Sequence, residues 1–300
     1  MPPASSITPV SRTRLPALAL LSACVAAAVH GAAPAPPTVV EEVPFITTPD
    51  HVTVAMLEMA SVGPGDHVID LGSGDGRIVI TAARRFGARG LGVEIVPDLV
   101  ERSIANARLA GVSDRAAFRT QDLFDTDLAP ASVVTMYLLP EVNLALRPRL
   151  LALAPGTRIV SHDWDLGDWR PDRTLTLAVP EKSIGLEKLS RLHLWTVPAR
   201  LDGLWCGAGG LALQVTQQVQ AVAMELAQGN ERRSFNGRVD GRSLNAWGAA
   251  GAGWSARADG DVLRSTQVTQ VTQVNQATQV PGLAGQGLRR AGGATCPARR

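Results

Sequence analysis

The sequence predicts an α/β fold in which a mainly parallel sheet is covered by helices on both faces. From about residue 49 onward, short apolar segments rich in β-branched residues alternate with segments of helical periodicity. Strands joined by helices of that length pair in parallel. The first strand runs into a turn with glycine at alternate positions, in VIDLGSGDGR (68–77). Two later alternating segments, with no long helix between them, predict an antiparallel pair at one end of the sheet.

The composition is that of a globular chain with room for one full domain and a smaller one. Its 300 residues are 45% hydrophobic, which is enough for a substantial core. The formal net charge is only +2, so the chain lacks the strong positive field that gathers nucleic-acid phosphates, and we expect no nucleic-acid partner. Lysine occurs only at Lys182 and Lys188, so nearly all the basic charge is arginine.

The first 33 residues have the three parts of a secretory signal. Arg12 and Arg14 precede an apolar stretch that ends in small residues. The segment LSAC within this stretch also resembles a bacterial lipobox, in which Cys24 would be lipidated. We therefore expect an exported protein, periplasmic or lipid-anchored to the envelope, with membrane contact only through this segment. If the segment is not a working signal, the protein stays cytoplasmic.

The elements of the sheet domain follow one another in a regular order. A helix is predicted from Pro49 onward, with Thr48 as its N-cap and Pro49 at the first helical position. The next three helices are RIVITAARRFG (77–87), PDLVERSIANARLAG (97–111) and EVNLALRPRLLALAPG (141–156), the last despite Pro148. The five buried strands are HVIDL (67–71), GLGVEI (90–95), AAFRTQD (116–122), SVVTMYLLP (132–140) and TRIVSHDW (157–164). The antiparallel pair is RTLTLAV (173–179) and RLHLWTVPA (191–199).

The chain after residue 200 has a different character. A β-rich appendage is predicted over 201–262, with Asp240 and Gly241 as a two-residue hairpin turn. A low-complexity tail is predicted over 263–300, where a three-residue repeat is either disordered or loosely β-prone. Cys206 and Cys296 could pair in an oxidising compartment or remain free thiols. The full division is a signal or anchor (1–33), a linker (34–44), a sheet domain (45–200), the appendage and the tail.

The glycine turn after the first strand is typical of several nucleotide sites, and its sequence separates them. A phosphate-binding P-loop needs lysine and Ser/Thr after the last glycine, but Gly76 is followed by Arg77 and Ile78. A dinucleotide site has the spacing G-x-G-x-x-G and holds a pyrophosphate on a helix N-terminus. The glycines here are at alternate positions, and Asp70 and Asp75 flank them. Carboxylates at this place would repel a pyrophosphate.

Acidic side chains around the turn suit a cationic nucleoside. S-adenosylmethionine (SAM) has no phosphate, and it carries a sulfonium and an ammonium group. Glycines without Cβ allow the backbone to approach its amino-acid end. Glu94, at the end of the second strand, is placed to accept both ribose hydroxyls, about 20 residues after the glycines. After the third strand, Asp122 is expected at the exocyclic amine of adenine and Leu123 against the ring.

These residues resemble the class I, seven-strand SAM-dependent methyltransferases. DLGSGDGR (70–77) is similar to the branch of small protein-lysine methyltransferases that act on mitochondrial carriers and ATP-synthase subunits, and so are TPDHVTVAML (48–57) and the segment 137–169. The resemblance covers about 45–200. It implies a Rossmann-like sheet of order 3-2-1-4-5-7-6 with strand seven antiparallel, and SAM as cofactor. It places the cofactor on Asp70, Gly72, Ser73, Gly74 and Gly76 at the methionine end, Glu94 at the ribose, and Asp122 and Leu123 at the adenine. The residues themselves show no metal-ligand spacing, so no bound metal is expected.

The acceptor side is expected at the ends of strands four and five. MYLLPE (136–141) lacks the Asn/Asp/Ser-Pro-Pro-aromatic sequence of enzymes that methylate exocyclic base amines. Tyr137 could shape a pocket for a lysine amine, or pack under the cofactor. His162 beside Asp163 could act as a general base, or be structural. We expect methyl transfer to a protein side chain, with lysine favoured, or to a small amine. The alternative is an exported envelope interaction protein that uses the methyltransferase fold as a scaffold.

Overall fold

The computed structural model describes residues 46–182, 187–249, 252–269, 283 and 285–296. These residues belong to one compact unit, Phe45–Arg300. The predicted signal segment (1–33), the linker (34–44) and most of the three-residue repeat lie outside the described residues.

The first part of the described chain forms the predicted seven-stranded sheet. Its order is β3-β2-β1-β4-β5-β7-β6, as the family resemblance implies. The first five strands pair in parallel, and β7 is antiparallel to both β5 and β6. The strands are β1 (His67–Leu71), β2 (Arg89–Glu94), β3 (Ala116–Thr120), β4 (Val133–Met136), β5 (Arg158–His162), β6 (Arg173–Ala178) and β7 (Leu189–Thr196).

Helices cover both faces of this sheet. They are α1 (Asp50–Met59), α2 (Arg77–Phe86), α3 (Pro97–Leu109) and α4 (Pro140–Leu150). Successive residues of one strand enter different clusters: Val133 packs with side chains of α1 and α2, and Val134 packs with side chains of α4. This alternation is why the central strands read as continuous apolar runs rather than as alternating ones.

The C-terminal part is more complete than a small appendage. It is a closed eight-stranded antiparallel barrel of order β10-β11-β12-β13-β14-β15-β8-β9. Alternate residues point inward, and Trp205, Leu213, Val239 and Leu263 are among those fully buried. The strands are β8 (Gly203–Cys206), β9 (Ala212–Gln218), β10 (Ala221–Gln228), β11 (Glu231–Asp240), β12 (Ser243–Gly248), β13 (Gly253–Asp259), β14 (Val262–Thr269) and β15 (Gly287–Arg290).

The structure of the barrel corrects two predictions made from the sequence and settles a choice that the sequence left open. The predicted boundary after residue 262 is too early, because β14 and β15 both come from the predicted tail and close the barrel. The β11–β12 turn lies one residue later than predicted, since Asp240 pairs with Ser243 and the turn residues are Gly241 and Arg242. Finally, Cys206 and Cys296 form a disulfide, which settles the choice between pairing and free thiols in this structure.

The barrel is fixed to the outer strands of the sheet by polar contacts around Asp172. Gln220 Nε2 donates to Asp172 Oδ1 (2.9 Å), and Arg238 pairs with the same oxygen (2.5 Å). The Ala199 N–H, just after β7, donates to the Gly241 carbonyl (2.7 Å). These contacts hold the barrel beside β6 and β7.

Candidate active site

The glycine turn between β1 and α2 needs glycine for two separate reasons. Gly72, Gly74 and Gly76 have φ of +73°, +53° and +82°, in the left-handed region that L residues rarely adopt. A Cβ would also collide with neighbours: at Gly72 it would lie 2.9 Å from Leu138 Cδ2, and at Gly76 it would lie 2.7 Å from Phe118 Cε1. The turn therefore presents bare backbone at the carboxyl end of β1.

Glu94 is held directly across this turn. One carboxylate oxygen accepts the Gly74 N–H (3.0 Å), and the other accepts the N–H groups of Ile95 (2.8 Å) and Val96 (3.1 Å). A carboxylate has about four acceptor sites, so three protein contacts leave capacity for a ligand hydroxyl. The predicted ribose ligand thus lies beside the predicted glycine turn, although the two are 20 residues apart in sequence.

Asp70 is buried at the end of β1 with only 2% of its surface exposed. Thr135 Oγ1 donates to its Oδ1 (2.7 Å). Burial, opposed by the hydrogen bond from Thr135 and reinforced by the charges of Glu94 and Asp75, raises the pKa of Asp70 to about 8. A cationic group at this end of the site would favour the ionised carboxylate.

Asp75 has a different role from the one its position in the sequence indicated. Its carboxylate is paired with Arg77, whose Nε donates to Oδ1 (2.9 Å) and whose Nη2 donates to Oδ2 (2.7 Å). Although burial raises the pKa of Asp75, the hydrogen bonds and charge of Arg77 lower it by more, and the net pKa is below the ordinary value. Asp75 is therefore paired within the turn. The prediction that carboxylates favour a cationic ligand here depends on Asp70 and Glu94.

The residues of the turn fit a bound amino-acid end in one further respect. The Ser73 hydroxyl is buried, and among the described residues it has no hydrogen-bond partner. Buried hydroxyls are nearly always satisfied, so an orphan here is expected where a ligand or water completes the site. Together with the bare backbone of the glycines, it supports the assignment of this turn to the methionine end of SAM.

The predicted adenine residues follow β3. Asp122 caps a single 3-10 turn (Leu123–Asp125), and its Oδ1 accepts the Phe124 N–H (2.8 Å). Leu123 is half-buried against the core, and Arg149 of α4 donates to its carbonyl (3.1 Å). Asp122, Leu123 and the other predicted cofactor residues lie at the carboxyl ends of adjacent strands. Their roles in binding remain predictions from sequence.

The acceptor side is a cavity of about 410 Å³ beside β4 and β5. Tyr137 and His162 line it and stack on each other with ring centroids 3.9 Å apart. Arg77, which directly follows the glycine turn, and Lys182 also line it. The cavity thus includes the residue that follows the glycine turn.

Asp163 gathers the polar contacts at the wall of this cavity. Its Oδ2 accepts hydrogen bonds from Tyr137 Oη (3.2 Å) and Lys182 Nζ (2.6 Å), and its Oδ1 accepts the Arg191 N–H (3.0 Å). Burial raises the pKa of Asp163, but the hydrogen bonds from Lys182 and the Arg191 N–H, with the charges of His162 and Lys182, lower it by more, so the net pKa is below the ordinary value. Its φ is +65°, and residues held in such conformations cluster at functional sites.

His162 is enclosed rather than exposed to an acceptor. It is 1% exposed; its Nε2 lies 2.8 Å from Ser190 Oγ and its Nδ1 lies 3.3 Å from Thr48 Oγ1. Burial lowers its pKa to about 4, despite the opposing charge of Asp163. The N-cap of α1 is Pro49 and its first residue is Asp50, so the predicted N-cap, Thr48, lies one residue too early. Both ring nitrogens face buried hydroxyls, which favours the structural alternative; the catalytic roles of Tyr137, His162 and Asp163 stay predictions.

Sequence reasoning missed Lys182, Thr135 and the pairing of Arg77 with Asp75. Lys182 lies between β6 and β7, where no periodicity places a side chain relative to β5. The one sequence feature that could have drawn attention to Lys182 is that the chain has only two lysines.

Two other properties concern the described ranges alone. No helix in them combines the length and apolar character needed to cross a bilayer. In the same part of the chain, no group of three or more His, Cys, Asp or Glu side chains is placed to hold a metal ion.

Known proteins resemble this chain over the sheet domain. The family model of the ANTKMT methyltransferase domain matches residues 70–173. A protein-lysine N-methyltransferase of Saccharolobus islandicus is 44% identical over 138 residues, which are 45% of this chain and 86% of the relative. The adenine nucleotide translocase lysine N-methyltransferase of Mus musculus is 35% identical over 132 residues, 43% of this chain and 57% of that protein. The solved structure of an RNA methyltransferase from Salinibacter ruber with S-adenosyl-L-homocysteine is 50% identical and covers 52% of this chain and 96% of its own, with a TM-score of 0.48.

Proposed function

Because the chain belongs to the class I, seven-strand SAM-dependent methyltransferases, we propose that it methylates the ε-amine of lysine side chains in proteins. The observation that carries the acceptor class is a lysine in the wall of the cavity beside β4 and β5. There a lysine ammonium of the chain itself, Lys182, lies 2.6 Å from Asp163 Oδ2. The lysine acceptors named for the curated relatives support the same class.

The protein's part in this reaction is to bind and to orient. When bound, SAM supplies a methyl carbon activated by a cationic sulfur. The glycine turn and Glu94 hold the cofactor, and Asp163 with Tyr137 offers hydrogen-bonding groups to an incoming amine. Alignment and exclusion of water lower most of the barrier in such a transfer. The lowered pKa of Asp163 and the enclosure of His162 make both poor bases for the amine, and we infer that the lysine proton passes to solvent.

The acceptor class is tested with SAM carrying a labelled methyl group. The purified full chain is incubated with labelled SAM and an extract, which is then separated into protein, nucleic acid and small molecules. We expect label in protein, recovered as methyllysine after hydrolysis, and at least tenfold less with Glu94→Ala at low SAM concentration. Label confined to nucleic acid or to a small amine would overturn the lysine proposal while leaving methyl transfer intact.

We also propose that the chain is exported and works in an oxidising compartment. The N-terminal segment supports this, and so does the Cys206–Cys296 disulfide, because disulfides persist mainly outside the cytosol. Fusing residues 1–40 to alkaline phosphatase should give external enzyme activity. A fusion active only after cell lysis, together with two freely alkylated cysteines in the native chain, would contradict export.

A further inference from the structure

Lys182 occupies a position that an acceptor lysine would take. Its side chain is only 14% exposed and lines the cavity beside β4 and β5. Its Nζ donates to Asp163 Oδ2 (2.6 Å) and to the Leu189 carbonyl (2.6 Å). One carboxylate and one carbonyl thus hold the Lys182 ammonium at the wall of the cavity.

The cavity lies near the carboxyl end of β4, beside β1 and its glycine turn. Met136 pairs with Leu71 in register, so the next residues, Tyr137 and Gly72, lie at the same level of the sheet. Tyr137 Oη donates to the oxygen that also holds Lys182 Nζ (3.2 Å). Arg77, at the start of α2, lines the cavity as well. Tyr137, the residue after β4, therefore contacts the same carboxylate as the amine of Lys182.

We propose that Lys182 is a self-methylation site of this enzyme, an inference that rests on the proposed lysine methyl transfer. The other lysine provides the contrast. Lys188 is exposed, does not line the cavity, and donates to the Lys182 carbonyl. Because these are the only two lysines in the chain, methyllysine found in the protein must come from one of them.

The transfer balances with SAM as the only co-reactant. The Lys182 ammonium first loses one proton to solvent, past the Asp163 carboxylate that accepts its hydrogen bond. The amine lone pair then forms the N–C bond as the S–C bond breaks, and the electron pair of that bond stays on sulfur. S-adenosylhomocysteine leaves neutral, and the positive charge of the sulfonium is now on the methylated nitrogen.

The test uses the full chain with SAM alone, without acceptor or extract. We expect the intact mass to rise in steps of about 14 Da per methyl group, with the modified peptide containing Lys182. Because the lysine lies in its own chain's cavity, the rate constant should not change over a tenfold range of protein concentration. Lys182→Arg should abolish the mass shift, and Lys188→Arg should leave it unchanged. Methylation found on Lys188, or a rate that rises with protein concentration, would overturn the proposal.

A second measurement needs no cofactor. Reductive methylation with formaldehyde and cyanoborohydride should modify Lys182 at least tenfold more slowly than Lys188 in the native chain, and Asp163→Asn should reduce that difference. Equal labelling of the two lysines in the native chain would show that Lys182 is not held in the cavity. If SAM binds and extract proteins are methylated while Lys182 is not, this inference alone fails. If SAM binds and no protein is methylated, the proposed lysine transfer fails with it.

Discussion

Gly76→Ala is expected to lower the free energy of unfolding by about 2–5 kcal/mol, because two costs add at this position. The backbone has φ +82°, which costs an L residue roughly 1–2 kcal/mol. The new Cβ would lie 2.7 Å from Phe118 Cε1 and 2.9 Å from Ser103 Cβ, and overpacking of this kind costs typically 1–3 kcal/mol. Urea unfolding of the full chain, followed by circular dichroism, measures the loss.

Gly111→Ala is the matched control for this substitution. Gly111 ends α3 with φ +67°, but a Cβ there would have nothing within 4 Å. It should therefore show only the backbone cost, about 1 kcal/mol. Equal losses at the two positions would contradict the close packing of the glycine turn against β3 and α3.

The second large effect concerns Asp70 and pH. Between pH 6.5 and 8 the ligand-free chain should lose up to about 2 kcal/mol of unfolding free energy, and Asp70→Asn should abolish this loss. The pKa of Asp70 is raised from 3.8 in the unfolded chain to about 8 in the folded one. Across that interval the folded state holds a proton that the unfolded state has released, so stability falls by as much as about 1.4 kcal/mol per pH unit.

The window above pH 6.5 isolates this group. The pKa of His162 is lowered by burial to about 4, so its contribution has the opposite sign and is lost as pH falls between 6.5 and 4. The pKa of His193 is also lowered by burial, so its contribution to stability is likewise lost as pH falls. Asparagine keeps the acceptor oxygen that Thr135 uses, and the exposed Asp98 provides a control, Asp98→Asn. Parallel pH profiles for the native chain and Asp70→Asn would contradict a neutral buried carboxyl group.

The sheet and the cofactor side were predictable because their signals are local. Apolar runs of five or six residues, helical spacing and the glycines at 72, 74 and 76 each depend on neighbours in sequence, and the family order of strands then brings Glu94 to Gly74. The prediction that the Asp75 carboxylate is free to face a ligand was wrong, because it too was made from local sequence alone. Whether a carboxylate faces a ligand or an arginine two residues away depends on rotamers that sequence spacing does not fix.

The acceptor side and the barrel depend on contacts that sequence patterns do not encode. Lys182 reaches Asp163 across 19 residues, through a connection between β6 and β7 without a helical or strand period. β14 was assigned to a tail because its last residues enter a low-complexity repeat, yet its first residues alternate and pair with β13. Closure by β15 is a long-range pairing that no local window reveals.

Titration calorimetry of the full chain with SAM, and separately with NADH, tests the central claim that the glycine turn and Glu94 bind a cationic nucleoside. We expect heat of binding with SAM and none with NADH. Affinity for SAM should fall at least tenfold in Glu94→Ala, as loss of hydrogen bonds to a charged group implies, but not in a control at the exposed Glu101 of α3, Glu101→Ala. Binding of NADH, or SAM affinity unchanged in Glu94→Ala, would contradict the account.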